Sequence, residues 1–148
     1  MASRPMDFWT VHVRPNYEEY KRNRANIRLA MNATLSAFHM ADWVVAEYRF
    51  SDPSKLRGHA DLGKYRCKVL CLEFPDFKLL EGVANAHKHL WLGKKLIAHE
   101  QFVRSATETY FAGDVILTKR DDDSEVDFGP VLDGTMAMWE RLIAKNGL

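Results

Sequence analysis

Apolar residues recur at helical spacing over most of this chain, and β-branched and aromatic runs take over only after Lys94. The opening run Phe8–Val13 is a short apolar and aromatic lead-in that Arg14-Pro15 is expected to end. Asn16 then offers a helix cap, with Glu19 three residues on to complete a variant of the capping box. The helix after this cap runs to about Tyr48, a length of roughly 50 Å at 1.5 Å per residue, so a kink is expected within it. Its second half, Leu29 to Ala46, carries Asp42 as its single formal charge, the pattern of a central helix surrounded by other elements.

Beyond it, Ser51-Asp52-Pro53 restarts a short helical turn, and Tyr65, Val69 and Leu72 give helical spacing through Lys64–Glu73. Phe77, Leu80, Ala84, His87 and Trp91 mark a further helix over about Asp76–Trp91, with Gly93 as its stop. Thr107–Phe111, Val115–Thr118 and Glu125–Phe128 read as strands, separated by Ala112-Gly113-Asp114 and by the acidic turn Asp121–Ser124. Gly129-Pro130 opens a final helix with Leu132, Met136, Trp139 and Ile143 on one stripe, ended by Gly147. The pattern predicts one α+β domain over residues 1–148. In it, three long helices and a C-terminal helix form a bundle, joined by a small antiparallel β meander.

Composition narrows the function classes. At 148 residues, 47% of them hydrophobic, the chain can bury one core. Against 21 basic stand 20 acidic side chains, a net charge of +1, which disfavours extended nucleic-acid binding because each phosphate contact needs a cation. The basic group Lys21, Arg22, Arg24 and Arg28 reads as a solvated face. Cys67 and Cys71, four apart on a helix, would close almost no loop as a disulfide and are too few for a zinc site. They suit reduced thiols of a cytoplasmic protein. Neither a secretory leader nor a membrane span is visible, since Asn32, Thr34, Ser36, His39 and Asp42 interrupt the best apolar stretch. No cofactor motif occurs, and no metal is expected.

The candidate chemistry lies on the central helix. Arg28, Asn32, His39 and Asp42 fall at i, i+4, i+11 and i+14, a polar stripe on one side. A carboxylate among apolar neighbours needs a cation or several donors. Asn85, Lys88 and His89 share a face of the 76–91 helix, and antiparallel packing would bring Lys88 or His89 against Asp42 and His39. Three readings compete. A sealed network would fix helix register, with Lys88 neutralising Asp42, and losing Asp42 would then cost about 3–5 kcal/mol. An acid–base site would use His39 and His89, with Asp42 orienting an imidazole and Lys88 holding a phosphate, as in a metal-independent ribonuclease. A divalent ion held by His39, Asp42 and His89 is the third.

The combination Asn32-Ala33, His39-x-x-Asp42-Trp43 and Ala84-Asn85-Ala86-x-Lys88-His89 resembles a loose group of small bacterial proteins carried on mobile elements or integron gene cassettes. That resemblance implies a helical N-terminal part followed by a short β segment, and it transfers no activity. The chain is also distantly similar to HEPN helical domains, some of them ribonucleases, but lacks their Arg-x4-6-His spacing. A non-enzymatic binding or interaction protein of accessory origin is therefore the expectation, with a homodimer as its assembly. The alternative is a ribonuclease-like enzyme using His39, Asp42, Lys88 and His89, with Asn32 and Asn85 as further ligand contacts.

Overall fold

The computed structural model describes the backbone of residues 4–91, 109–112, 115–119 and 124–148, and the side chains of 4–85, 124 and 126–148. Helix runs almost without interruption from Pro5 to Arg22: α1 (Pro5–Phe8), a π turn (Trp9–Val13) and α2 (Arg14–Arg22). Pro15 therefore does not end the lead-in. A proline in a helix lacks its N–H and presses on the carbonyl of the preceding turn. The wider π turn just before it, in which Arg14 N–H donates to Trp9 O, relieves that conflict.

The expected break in the long helix falls at residues 23–26. Asn23 leaves helical geometry and Asn26 caps α3 (Ile27–Tyr48), its side chain accepting from Leu29 N–H at 3.2 Å. Two asparagines explain the break, because their side chains compete with the helix for backbone bonds. The second half is the central core helix, with Ala30, Ala33, Ala37, Met40, Ala41 and Val44 buried. Trp139 crosses to it, its indole N–H donating to Ala37 O at 2.9 Å.

A 3-10 turn (Pro53–Leu56) starts at Pro53 as expected. The next helical stretch is α4 (Leu62–Tyr65), a second π turn (Arg66–Leu70) and α5 (Cys71–Glu73). Tyr65 and Val69 are buried, but Leu72 is 75% exposed and leaves the predicted stripe. The π turn is the cause, since one extra residue per turn rotates the residues after it away from the core.

Helix α6 (Phe77–Trp91) buries Phe77, Leu80 and Ala84. Helix α7 (Phe128–Asn146) is capped by Asp127, which accepts from Gly129 N–H, and closes at Gly147 in the left-handed conformation. Its Leu132, Met136 and Trp139 are buried, and Ile143 is partly so.

Strands β1 (Thr109–Ala112), β2 (Val115–Lys119) and β3 (Glu125–Asp127) pair antiparallel, with Tyr110 opposite Leu117 and Thr118 opposite Val126. They are four, five and three residues long. The expectation of an α+β domain with a β meander is corrected: this is a mostly helical fold. Among the described residues helices supply nearly all of the core, to which β3 adds Val126, and the strands are short. Phe128, expected to end the third strand, instead begins α7 and is buried. The Gly93 stop, the Gly113-Asp114 turn and the turn residues Asp121–Asp123 lie outside the described residues.

Candidate functional site

The 38–43 stretch of α3 receives side chains from two other elements. On one side, Phe8 stacks on Trp43 with ring centroids 5.1 Å apart, and His12, at the π turn, lies 5.3 Å from Phe8. On the other, Arg66 is the first residue of the second π turn and reaches α3. Such wide turns gather at functional sites more often than elsewhere in helices.

His39 and Asp42 are three residues apart and meet as the helical period requires, Nδ1 to Oδ2 at 2.6 Å. Arg66 donates from Nη2 to the other oxygen, Oδ1, at 2.7 Å. Its guanidinium also lies over the Phe38 ring, 4.1 Å from the centroid. Phe38 in turn stacks on Phe77 of α6 at 6.3 Å. Asp42 is thus held at both oxygens, by a group of its own helix and by one from the neighbouring helix.

Side-chain exposure is 39% for His39, 36% for Asp42 and 20% for Arg66. The network is not sealed, so the expected loss of 3–5 kcal/mol for a buried pair does not apply to it. His39 commits Nδ1 to Asp42, and among the described residues nothing bonds its Nε2. An imidazole fixed this way by a carboxylate presents its other nitrogen in a defined tautomer.

Among the described residues the cation beside Asp42 is Arg66. Lys88 and His89 stand 11 and 12 positions beyond Phe77, about 17 Å along the α6 axis at 1.5 Å per residue. Their side chains lie outside the described residues. Asn85 is exposed on α6, and Asn32 is half-buried, its carbonyl accepting from Ser36 Oγ at 3.0 Å. Among the described residues, no group of three or more His, Cys, Asp and Glu side chains is arranged to hold a metal ion.

No family model, curated protein or solved structure matches the chain.

A second polar cluster ties α2 to α7. Tyr17 donates to Asp133 Oδ1 at 2.5 Å, while Arg24 grips both oxygens of Asp133 at 3.1 and 3.2 Å. Burial and the Asp133 carboxylate push the Tyr17 hydroxyl well above the ordinary tyrosine range. Arg24, read from sequence as part of a solvated face, is exposed yet bridges two elements. Cys67 and Cys71 are free thiols, and burial pushes Cys71 up. Of the four tryptophans, Trp9 and Trp139 are buried and Trp43 is half-buried, while the Trp91 side chain lies outside the described residues.

Proposed function

We propose that this chain is a non-enzymatic binding or interaction protein that meets its partner at the His39 edge of α3. The observation that carries the reading is the engagement of Asp42 at both oxygens, by His39 and by Arg66. Phosphodiester cleavage without a metal needs one group to take a proton and another to give one. Asp42 and Arg66 are spent on each other, which leaves the cluster a single imidazole among the described residues. One hydrogen-bonding edge beside the half-buried Trp43 suits recognition better than proton shuttling. The same reading takes the protein to be cytoplasmic, of bacterial mobile-element origin, with a second copy of the chain as one expected partner. What supports it on the membrane side is that, among the described residues, no helix is long and apolar enough to cross one.

One observation favours the enzyme instead. The pairing of His39 with Asp42 is the orientation a general base requires, and His39 is open to solvent. A ribonuclease-like role with Lys88 or His89 as the second group is therefore the alternative. Incubating the protein with a labelled single-stranded RNA in the presence of a chelator separates the two. Intact RNA at protein excess supports the binding role. Cleavage that disappears in His39→Ala would replace it with the enzymatic one.

A further inference from the structure

Away from the His39 site, three cations converge on Glu73, two at its carboxylate and one at its backbone carbonyl. Glu73 ends the helical stretch that began at Leu62. Arg57 Nη2 lies 2.5 Å from Glu73 Oε1, and Lys145 Nζ lies 4.0 Å from the same oxygen. Arg141 of α7 donates from Nη2 to the Glu73 backbone carbonyl at 3.3 Å. The Arg57 guanidinium, with Lys145 and Arg141, holds the Glu73 carboxyl below the usual carboxylate range.

The charges do not balance. Among the described residues, three cations gather around the one carboxylate of Glu73, two of them at its Oε1 and Arg141 at its backbone carbonyl. Lys145 lies in the last turn of α7, whose C-terminal end offsets about half a charge, while Arg57 follows the 3-10 turn. More than one positive charge is left over among the described residues by that reckoning. Lys145 is 67% exposed, so it can reach a ligand in solvent.

Two further features mark the place. Arg57 is the one non-glycine residue at positive φ among the described residues, at 51°, a conformation that persists only where its surroundings enforce it. Tyr65 is wholly buried, and its hydroxyl has no hydrogen-bond partner among the described residues. The charges of Arg57 and Glu73 both act on that hydroxyl. A buried donor without an acceptor, beside an ion pair with cations to spare, is a polar site whose bonding is incomplete.

We infer that Arg57, Arg141 and Lys145 form an anion site that takes the phosphate group of a small soluble compound. Guanidinium forks match the oxygens of a tetrahedral anion in pairs, which a chloride ion cannot exploit. A phosphate monoester carries about −1.5 to −2 at neutral pH, enough to compete with Glu73 for the same donors. Glu73 is then the internal occupant that the ligand displaces from part of its bonding. This site stands independently of the role proposed for His39.

The test is a titration of the whole protein with inorganic phosphate at fixed ionic strength set by potassium chloride, followed by backbone amide shifts. Saturable shifts gathered at residues 57, 58, 73 and 141–147 are expected. Arg141→Gln should weaken binding about tenfold, as loss of about 1.4 kcal/mol would. Glu73→Gln should tighten it, because the competing carboxylate is gone, whereas Lys21→Gln on α2 should leave it unchanged. Shifts that never saturate, or that affect Lys21 and Arg22 equally, would overturn the proposal. So would an affinity indifferent to both Arg141→Gln and Glu73→Gln in variants that melt as the parent does.

Discussion

Arg66 and Asp42 join two helical stretches across 2.7 Å, and the same guanidinium covers the ring of Phe38, four residues before Asp42 on α3. One side chain thereby satisfies a carboxylate and packs an aromatic face, which fixes the α4–α5 stretch against the central helix. Asp42→Ala would strand the partly buried Arg66 and free His39. Partial exposure screens the pair, so the expected cost is about 1–2 kcal/mol. Urea denaturation measures it. A midpoint equal to the parent's would show that the bridge adds nothing to stability.

Gly134 lies beneath Phe74. A Cβ at Gly134 would fall 2.3 Å from the tip of the Phe74 ring, so the ring must leave its position. Gly134→Ala is expected to destabilise by about 1–3 kcal/mol, the range of overpacking. Gly82, within α6, has nothing within 4 Å of the same added atom. There alanine should stabilise by about 0.5–1 kcal/mol through helix propensity. Opposite signs in thermal melts of the two variants are the expected result, and equal shifts would contradict the close approach of Phe74.

Helix content and much of the core could be read directly from spacing. Leu132, Met136 and Trp139 on α7, and Phe77, Leu80 and Ala84 on α6, are buried where a 3,4 repeat puts them. The π turns could not be read so. Nothing in Trp9–Val13 or Arg66–Leu70 announces an extra residue per turn, and each one re-aims the side chains around it. That is why Leu72 points outward and why spacing does not reveal Arg66 as the partner of Asp42. The His39–Asp42 contact was legible because a local i, i+3 pair depends only on helix geometry. Its cation was not, because Arg66 is 24 residues away and arrives through tertiary packing. β-branched content marks the strand-like segments but says nothing about how large a layer the strands build.

Asn26 gives a sharper check on the break in the long helix. Its side chain accepts from Leu29 N–H, and the asparagine pair 23 and 26 separates α2 from α3. Asn26→Ala should cost about 1 kcal/mol through the lost cap. Faster amide exchange at residues 27–29, with α7 unaffected, is the accompanying signature. Unchanged exchange there would mean that the packing of α3, not its cap, sets where it begins.

Alkaline pH should unfold the chain through its buried and half-buried tyrosines. Tyr17, Tyr20 and Tyr65 all have hydroxyls pushed above their ordinary value, foremost by burial. Unfolded tyrosine ionises near pH 10, whereas these hydroxyls keep their protons in the folded state. The folded chain therefore binds more protons than the unfolded one above about pH 10, and linkage makes stability fall as pH rises. Below that pH the contribution is fully present. Tyr17→Phe removes one of these groups but leaves Asp133 in the grip of Arg24. The variant should lose stability less steeply between about pH 10 and 11, read as the slope of the urea midpoint against pH. Tyrosinate absorbance of the parent should rise together with unfolding. A slope identical in parent and variant would mean that Tyr17 ionises freely while folded, against its bond to Asp133.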